Sequence, residues 1–436
     1  MRIDKQTIRD LEIFKTDDGE TSIFDLINKT KTTGGEYRLR EICLNPPENI
    51  ELLKEQQDSV RYLVEKFQYI KLPFNNQQIK SIEDYLSSNI DIVQADSLLD
   101  CFKFCIIDFT AYKYLKNSIL EVHAFIAGFQ AILNHHNLEL PLKLKKIQHE
   151  IESLSNNNAF KKTAKFQNKK PLAFYHALQS DRIVRTEFKS TLTSILNGYY
   201  DLDALFSMAK ATKELNFNFP EFIKSEESIF SSEGLYHPLL PNAVPSDITL
   251  TKDSNFVFLS GPNMSGKTTF LKTIGIAVYL AHLGMGIPSK HTRLTYVDCL
   301  FTSLNINDNI LKGYSFFYSE VLRVKKLAEI LKSGEKVFSL FDELFRGTNV
   351  MDAYDATILV ISGLFTWQNS LFIVSSHLWE VWEKIKHYPT IKSLCFESKI
   401  NNGIPEFTYC LTNGVSDMRL GLTIIKNEKI MELLKH

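Results

Sequence analysis

The stretch Ser260-Gly-Pro-Asn-Met-Ser-Gly-Lys-Thr-Thr269 carries the clearest chemistry in the chain. Gly261, Gly266, Lys267 and Thr268 satisfy G-x-x-x-x-G-K-[ST]. The context this pattern requires is present, with the apolar run Phe256-Val-Phe-Leu259 before it and a helical pattern after it. The glycines let the loop of Gly261, Pro262, Asn263, Met264, Ser265 and Gly266 curl so that its backbone N–H groups face phosphates. A helix opening at Lys267, Thr268 and Thr269 adds its positive N-terminal end. Lys267 supplies a point charge for β- and γ-phosphates, and Thr268 a hydroxyl for Mg²⁺.

Lys336-Val-Phe-Ser-Leu-Phe-Asp-Glu343 is a second apolar run, and it ends in two acids. A strand that delivers Asp342 beside the loop brings its carboxylate to Mg²⁺, and the adjacent Glu343 then stands where a general base on water belongs. One acid serves the metal and the other the nucleophile. A further run, Ser370-Leu-Phe-Ile-Val-Ser-Ser-His377, ends in a histidine that can sense a γ-phosphate by hydrogen bonding. Singly, an acid pair or a strand-end histidine is usually a solvated surface group. Their order after the loop is what separates them from that reading. It is the order of the ABC class of P-loop ATPases, and nothing in the chain resembles a kinase phosphoacceptor site.

These groups need a sheet to hold them. Past about Pro238, short β-rich runs (Asn255–Leu259, Val337–Phe341, Leu371–Val374) alternate with helical patterns, as in an α/β domain with a mainly parallel sheet. The first half reads as helical. Val60, Leu63, Val64 and Phe67 recur at i, i+3, i+4 and i+7. Further helix-length patterns run through Ile79–Leu99, Phe102–Leu133 and Ile183–Leu215, and breakers fall at Gly34-Gly35, Pro46-Pro47 and Pro220. The polar, lysine-rich stretch from Lys143 to Lys170 reads as an exposed connection. Phe166 among its lysines belongs to a solvated loop or, on the sharper reading, to a sequence-independent and salt-sensitive phosphate contact. The fold class expected is multidomain: an all-α core or lever domain at 1–230, then an α/β P-loop ATPase domain of the ABC class at 231–436.

Composition narrows the classes. The 436 residues allow two or three domains. With 44% hydrophobic and 23% charged residues the chain is neither collagen-like nor wholly disordered. Lys+Arg number 50 against 51 Asp+Glu, so any polyanion must be bound by local basic surface. No run of 18 or more apolar residues suggests a membrane span, and the N-terminus lacks the apolar segment of a secretory signal. The six cysteines show no C-x-x-C spacing; they read as buried thiols of a reduced, cytoplasmic protein.

The ordered motifs resemble those of the MutS family of DNA mismatch repair ATPases. Gly261-Pro-Asn-Met-Ser-Gly-Lys-Thr-Thr269 is similar to the family's GPNMGGKST, Asp342-Glu-Leu-Phe-Arg-Gly-Thr348 to DEIGRGT, and Ser375-Ser-His377 to its ATH segment. Phe301-Thr-Ser-Leu-Asn-Ile-Asn-Asp308 through Gly313-Tyr-Ser-Phe-Phe317 resembles FTRIGA-x-D…G-x-S-T-F, and Tyr236-His-Pro238 resembles RHP. Ile287-Pro288…Arg293-Leu294 and Gly414-Val-Ser…Leu420-Gly421-Leu422 continue the match. More loosely, Met1-Arg-Ile-Asp-Lys5, Gly34-Gly-Glu-Tyr-Arg-Leu-Arg40 and Leu53-Lys-Glu-Gln-Gln57 resemble the entry to the family's helical core domain.

The resemblance implies ATP and Mg²⁺ as cofactors. Lys267 and Thr268 would hold phosphate and metal, with Asn263 near the γ-phosphate. Asp342 would serve Mg²⁺, Glu343 would be the hydrolytic base and His377 the switch. Ser315 would reach the γ-phosphate of an opposite subunit, which implies an ATP-dependent homodimer. It also implies action on DNA in mismatch repair or recombination, with repair proteins as partners. The alternative is an ATP-gated protein–protein switch that has lost direct DNA recognition.

Three positions depart from the family's pattern. Ser265 stands where a second Gly is usual, which is tolerated if φ there stays negative. Phe345 replaces a Gly, and Ala243 occupies a place where an aromatic often stacks on adenine. The chain begins at the core domain, so the mismatch-reading and connector domains are expected to be missing. The stretch between Leu133 and Leu202 reads as too short for the family's inserted DNA clamp.

Overall fold

The apolar runs that the sequence marks as strands are buried along their whole length at Phe256–Ser260, Val337–Asp342 and Leu371–Ser375. Continuous burial of this kind belongs to a parallel sheet covered on both faces. The computed structural model describes residues 1–15, 21–67, 69, 72–95, 97–134, 140–165, 172–305, 316–401, 404–416, 427 and 433–434. The chain forms two units that interleave in sequence. Met1–Ile27, Cys43–Lys54 and Thr212–His436 make one, and Asn28–Ile42 with Glu55–Ala211 the other.

Among the described residues, all the strands belong to the first unit. In chain order they are β1 (Arg2–Ile3), β2 (Glu221–Phe222), β3 (Phe230–Leu235), β4 (Ser246–Leu250), β5 (Phe256–Ser260) and β6 (His291–Leu294). There follow β7 (Cys299–Ser303), β8 (Val337–Asp342), β9 (Leu371–Ser375), β10 (Ile391–Asn401) and β11 (Ile404–Asn413). A seven-stranded sheet has the order β1-β7-β8-β9-β5-β10-β11, and a four-stranded sheet the order β2-β6-β3-β4. Every neighbouring pair of the larger sheet is parallel except the β10–β11 hairpin. Leu259 of β5 and Asp342 of β8 both lie level with Ser375 of β9. The carboxyl ends of three strands therefore finish together, and the crevice beyond such ends is where open α/β sheets bind ligands.

The N-terminus is part of this sheet. β1 pairs with β7, with Arg2 opposite Cys299 and Ile3 opposite Leu300. Asp4 then caps the helix Lys5–Asp10 by accepting from the Thr7 amide at 2.9 Å, and Asp10 accepts from Thr302 Oγ1 at 2.7 Å and the Leu304 amide at 3.0 Å. Arg323, buried over the Phe301 ring at 3.8 Å, pairs with Asp4. Burial would raise the Asp4 carboxyl, but the hydrogen bond and charge of Arg323, with Lys326, outweigh it and hold the group well below the usual carboxylate range.

Asp4→Asn is accordingly expected to lower unfolding free energy at neutral pH by about 2 kcal/mol, less than a fully buried pair loses. Because the folded value lies below the unfolded one, the stability is complete above the ordinary carboxylate range and fades as pH falls through the folded value. Urea unfolding of both proteins between about pH 7 and about pH 2 measures this. A difference that does not shrink on acidification would refute the pairing.

The regular elements among the second unit's described residues are all helices. Tyr199, on the helix Lys189–Glu214, is fully buried, with the rings of Phe125 and Phe129 at 5.5 and 5.2 Å. The expected breaker Gly34-Gly35 lies inside the first turn of the helix Thr33–Leu44. Close approach explains it. A Cβ at Gly35 would sit 2.2 Å from Asp203 Oδ2. That carboxylate is occupied, accepting from the Lys31 and Thr32 amides at 3.0 and 2.9 Å.

Other expectations are corrected by caps. The pattern Ile79–Leu99 ends at Leu86, and Ser97 opens the helix Leu98–Ile107 by accepting from the Leu99 amide at 3.2 Å. Asp108 breaks the pattern Phe102–Leu133 and caps the helix Phe109–Asn134 through the Ala111 amide at 2.8 Å. The lysine-rich stretch, expected as an exposed connection, is helical over Leu142–Asn156 and Asn158–Thr163. Leu144, Ile151 and Leu154 form its buried stripe. Phe166 and the lysines at 169 and 170 lie outside the described residues. No paired β extension occurs among the described residues between Leu133 and Leu202.

Candidate functional site

β5 delivers the loop 261–266 and the helix Lys267–His282 takes it over, with Gly266 as N-cap. Gly266 has φ 104° and Gly261 φ 147°, so both need the freedom of glycine. Met264 takes φ 69° at the exposed tip. Lys267 folds back over the loop, donating from Nζ to the carbonyls of Gly261 at 2.8 Å and Pro262 at 3.2 Å. Burial lowers its pKa, against the pull of Glu343 and Asp342. A buried ammonium lying on backbone carbonyls is a charge ready for a stronger anion.

Asp342, at the end of β8, meets the loop directly. Thr268 Oγ1 donates to its Oδ2 at 2.5 Å, and the Ser375 hydroxyl donates to its Oδ1. Arg346 donates to the Asp342 carbonyl at 2.8 Å and lies 3.2 Å from Oδ2 and 3.0 Å from Glu343 Oε2. Glu343 turns through φ 57°, with its amide on the Ser375 carbonyl at 3.1 Å. Its Oε1 is 3.4 Å from His377 Nδ1. Burial alone would raise the Glu343 carboxyl; the His377 hydrogen bond, with Arg346, His377 and Lys267 charge, holds it below the usual range.

Thr268 and Asp342 offer hard oxygen donors side by side, which fits Mg²⁺, an ion that takes one or two protein oxygens and fills the rest with phosphate and water. Among the described residues no cluster of three or more His, Cys, Asp or Glu offers an all-protein metal cage.

The loop and both acids line one cleft of about 690 Å³. Asn263, Met264, Ser265 and Thr269 border it with Gly266, Lys267 and Thr268. Tyr236, His237, Leu240 and Ala243 line it too, as do Phe396 of β10 and Tyr409 of β11. Tyr409 sits over the loop: a Cβ added to Gly266 would be 3.3 Å from its ring. Sequence reading missed Tyr409, Phe396 and Ser375, whose places follow from strand register alone. His377 touches Glu343 but does not border the cleft. Ser315 lies outside the described residues.

Comparison with known proteins fits this arrangement. Residues 6–219 match the family model of MutS domain III, and residues 257–433 that of MutS domain V. The chain belongs to the MutS family. The DNA mismatch repair protein MutS of Petrotoga mobilis is 23% identical over 536 residues, covering 100% of this chain and 64% of its own length. That of Ehrlichia ruminantium (strain Gardel) is 26% identical over 320 residues, 72% of this chain and 39% of the relative. The Thermotoga maritima protein is 28% identical over 242 residues, 55% and 30% of the two chains. The chain thus spans less than two thirds of the length of these MutS relatives.

The departures from the MutS pattern now have geometry. Ser265 is buried with φ outside the left-handed region, and its hydroxyl has no hydrogen-bond partner among the described residues. Phe345 does take φ 63°, a conformation costing a non-glycine residue about 1–2 kcal/mol. Its buried ring, 5.7 Å from Phe317, offsets that cost.

Proposed function

We propose that this chain is an ABC-class P-loop ATPase of MutS type, which binds and hydrolyses ATP at a homodimer interface and acts on DNA in mismatch repair or recombination. The observation that carries the reading is the meeting of Lys267, Thr268, Asp342 and Glu343 in one cleft at the carboxyl edge of a parallel sheet. Lys267 leaves the loop carbonyls for the β- and γ-phosphates, and loop amides from Asn263 to Thr269 hold the phosphate oxygens. Mg²⁺, held by Thr268 and Asp342, would supply charge neutralisation to those phosphates. Glu343 takes the proton of the attacking water, oriented by His377. Tyr409 offers the ring for the base that Ala243 lacks. Ser315 of an opposite subunit completes the γ-phosphate site, and the helical region before residue 230 serves as lever. The names of the relatives support a role in mismatch repair.

A second reading, an ATP-gated protein–protein switch, draws on the helices at Leu142–Asn156 and Asn158–Thr163, where a DNA clamp would need a paired extension. ATP turnover and self-association, measured with and without duplex, mismatched and branched DNA across a salt series, decide between the two. Phosphate-mediated binding must weaken steeply between about 50 and 200 mM salt. Absence of DNA binding and of stimulation at the low end would exclude the DNA reading and leave the switch.

A further inference from the structure

Glu320 is a charged residue in an apolar place. It lies on the helix Phe316–Lys332, 5% exposed, among the buried residues that pack beneath β7 and β8. Its Oε1 accepts the Phe345 amide at 3.1 Å, and the amides of Arg346 and Gly347 face the same carboxylate. Its Oε2 accepts no hydrogen bond among the described residues. Successive amides converge on one anion when the chain alternates through left-handed φ. Glu343 at 57° and Phe345 at 63° provide that turn.

An unpaired carboxylate would be expelled from such a core, and packing alone would be met by an apolar side chain. Burial pushes the Glu320 carboxyl upward while the amides of Gly347, Arg346 and Phe345 pull it back. The loop they belong to carries Arg346, whose guanidinium bridges the two acids at 3.2 Å from Asp342 Oδ2 and 3.0 Å from Glu343 Oε2. Nothing else described ties the Phe345 amide down.

Resting on the ATPase reading above, we propose that Glu320 is a positioning residue for hydrolysis: it grips the backbone of Phe345–Gly347 so that Arg346 holds Asp342 and Glu343 in register with the loop. It touches neither nucleotide nor water. Its effect is geometric, and a displacement of about 1 Å at reacting groups costs about 10²-fold in rate.

The test uses the full chain with Glu320→Ala, Glu320→Asp and Glu320→Gln, reading steady-state ATP turnover, binding of a fluorescent ATP analogue, and amide exchange over 345–347. Alanine should lower kcat about 100-fold with KM and analogue affinity unchanged. Glutamine keeps a carbonyl acceptor for Phe345 and should recover most of the loss. Aspartate keeps the charge but withdraws from the amides, so it should resemble alanine; it decides the matter if alanine does not fold. Exchange at 345–347 should accelerate about tenfold in the alanine and aspartate variants. Unchanged kcat in a folded alanine or aspartate variant, or a raised KM at constant kcat, overturns the proposal. If the wild-type protein binds the analogue but turns over no ATP, the ATPase reading fails separately. Exchange at 345–347 then judges Glu320, and unaltered protection refutes it.

Discussion

Glu343→Gln should bind ATP and lose about 10³-fold in its hydrolysis, within the range a positioned general base contributes. The amide is nearly isosteric with the carboxylate: its oxygen can keep Arg346 Nε, 3.0 Å from Oε2, and its NH2 can face a neutral His377 Nδ1, 3.4 Å from Oε1. The fold of the site should therefore persist. What disappears is the basic oxygen, together with a negative charge facing a polyanionic substrate. Removing that charge relieves repulsion, so affinity for ATP should hold or rise while turnover falls. If the nucleotide joins two subunits, the unhydrolysed complex should accumulate as a dimer on size-exclusion chromatography with ATP and Mg²⁺. Turnover equal to wild type would show that another group activates the water. Weak ATP binding would instead place Glu343 among the binding groups.

The parts of this site that sequence revealed are those encoded locally. The loop from Gly261 to Thr269 is contiguous, and its glycines, lysine and threonine are fixed by the backbone path they must follow. Asp342, Glu343 and His377 were legible because each stands at the end of an apolar run, where polar side chains leave the buried strand for the cleft edge. The assignment stops where register takes over. Tyr409 and Phe396 reach the cleft only because Cys395 of β10 pairs with Ser260 of β5 and with Thr412 of β11. No local pattern marks an aromatic on an antiparallel edge hairpin as a cleft wall. Glu320 was hidden for a similar reason: one acid in an amphipathic helix looks solvated until its position beneath Phe345 is known. The two-residue β1 is too short for any periodicity, so nothing in the sequence tied Arg2–Ile3 to Cys299–Leu300. Composition misled at Lys143–Lys165, where many lysines concealed a stripe of Leu144, Ile151 and Leu154.

Lys267→Met should abolish nucleotide binding without weakening the empty protein. Lys267 is 6% exposed, and its ammonium donates to two carbonyls, which carry no full charge. Burial lowers its pKa, so protonated Lys267 is held at a cost to the folded state. The sign follows from linkage: the unfolded chain binds this proton more readily, so wild-type stability should rise with pH through the interval between the folded and unfolded values. Methionine fills similar space with no charge to desolvate, and apo stability at neutral pH should be equal or greater. ATP with Mg²⁺ should stabilise the wild-type protein by about 2.7 kcal/mol at a hundredfold excess over Kd, a shift of several degrees in Tm. Lys267→Met should show none of that shift at the same concentration. A variant that unfolds earlier when empty would make Lys267 a structural residue. One that is still stabilised by ATP would remove it from the phosphate site. The expected pair of results, a steadier protein that no longer responds to ATP, is the signature of a charge kept buried for its ligand, since stability alone would favour the methionine.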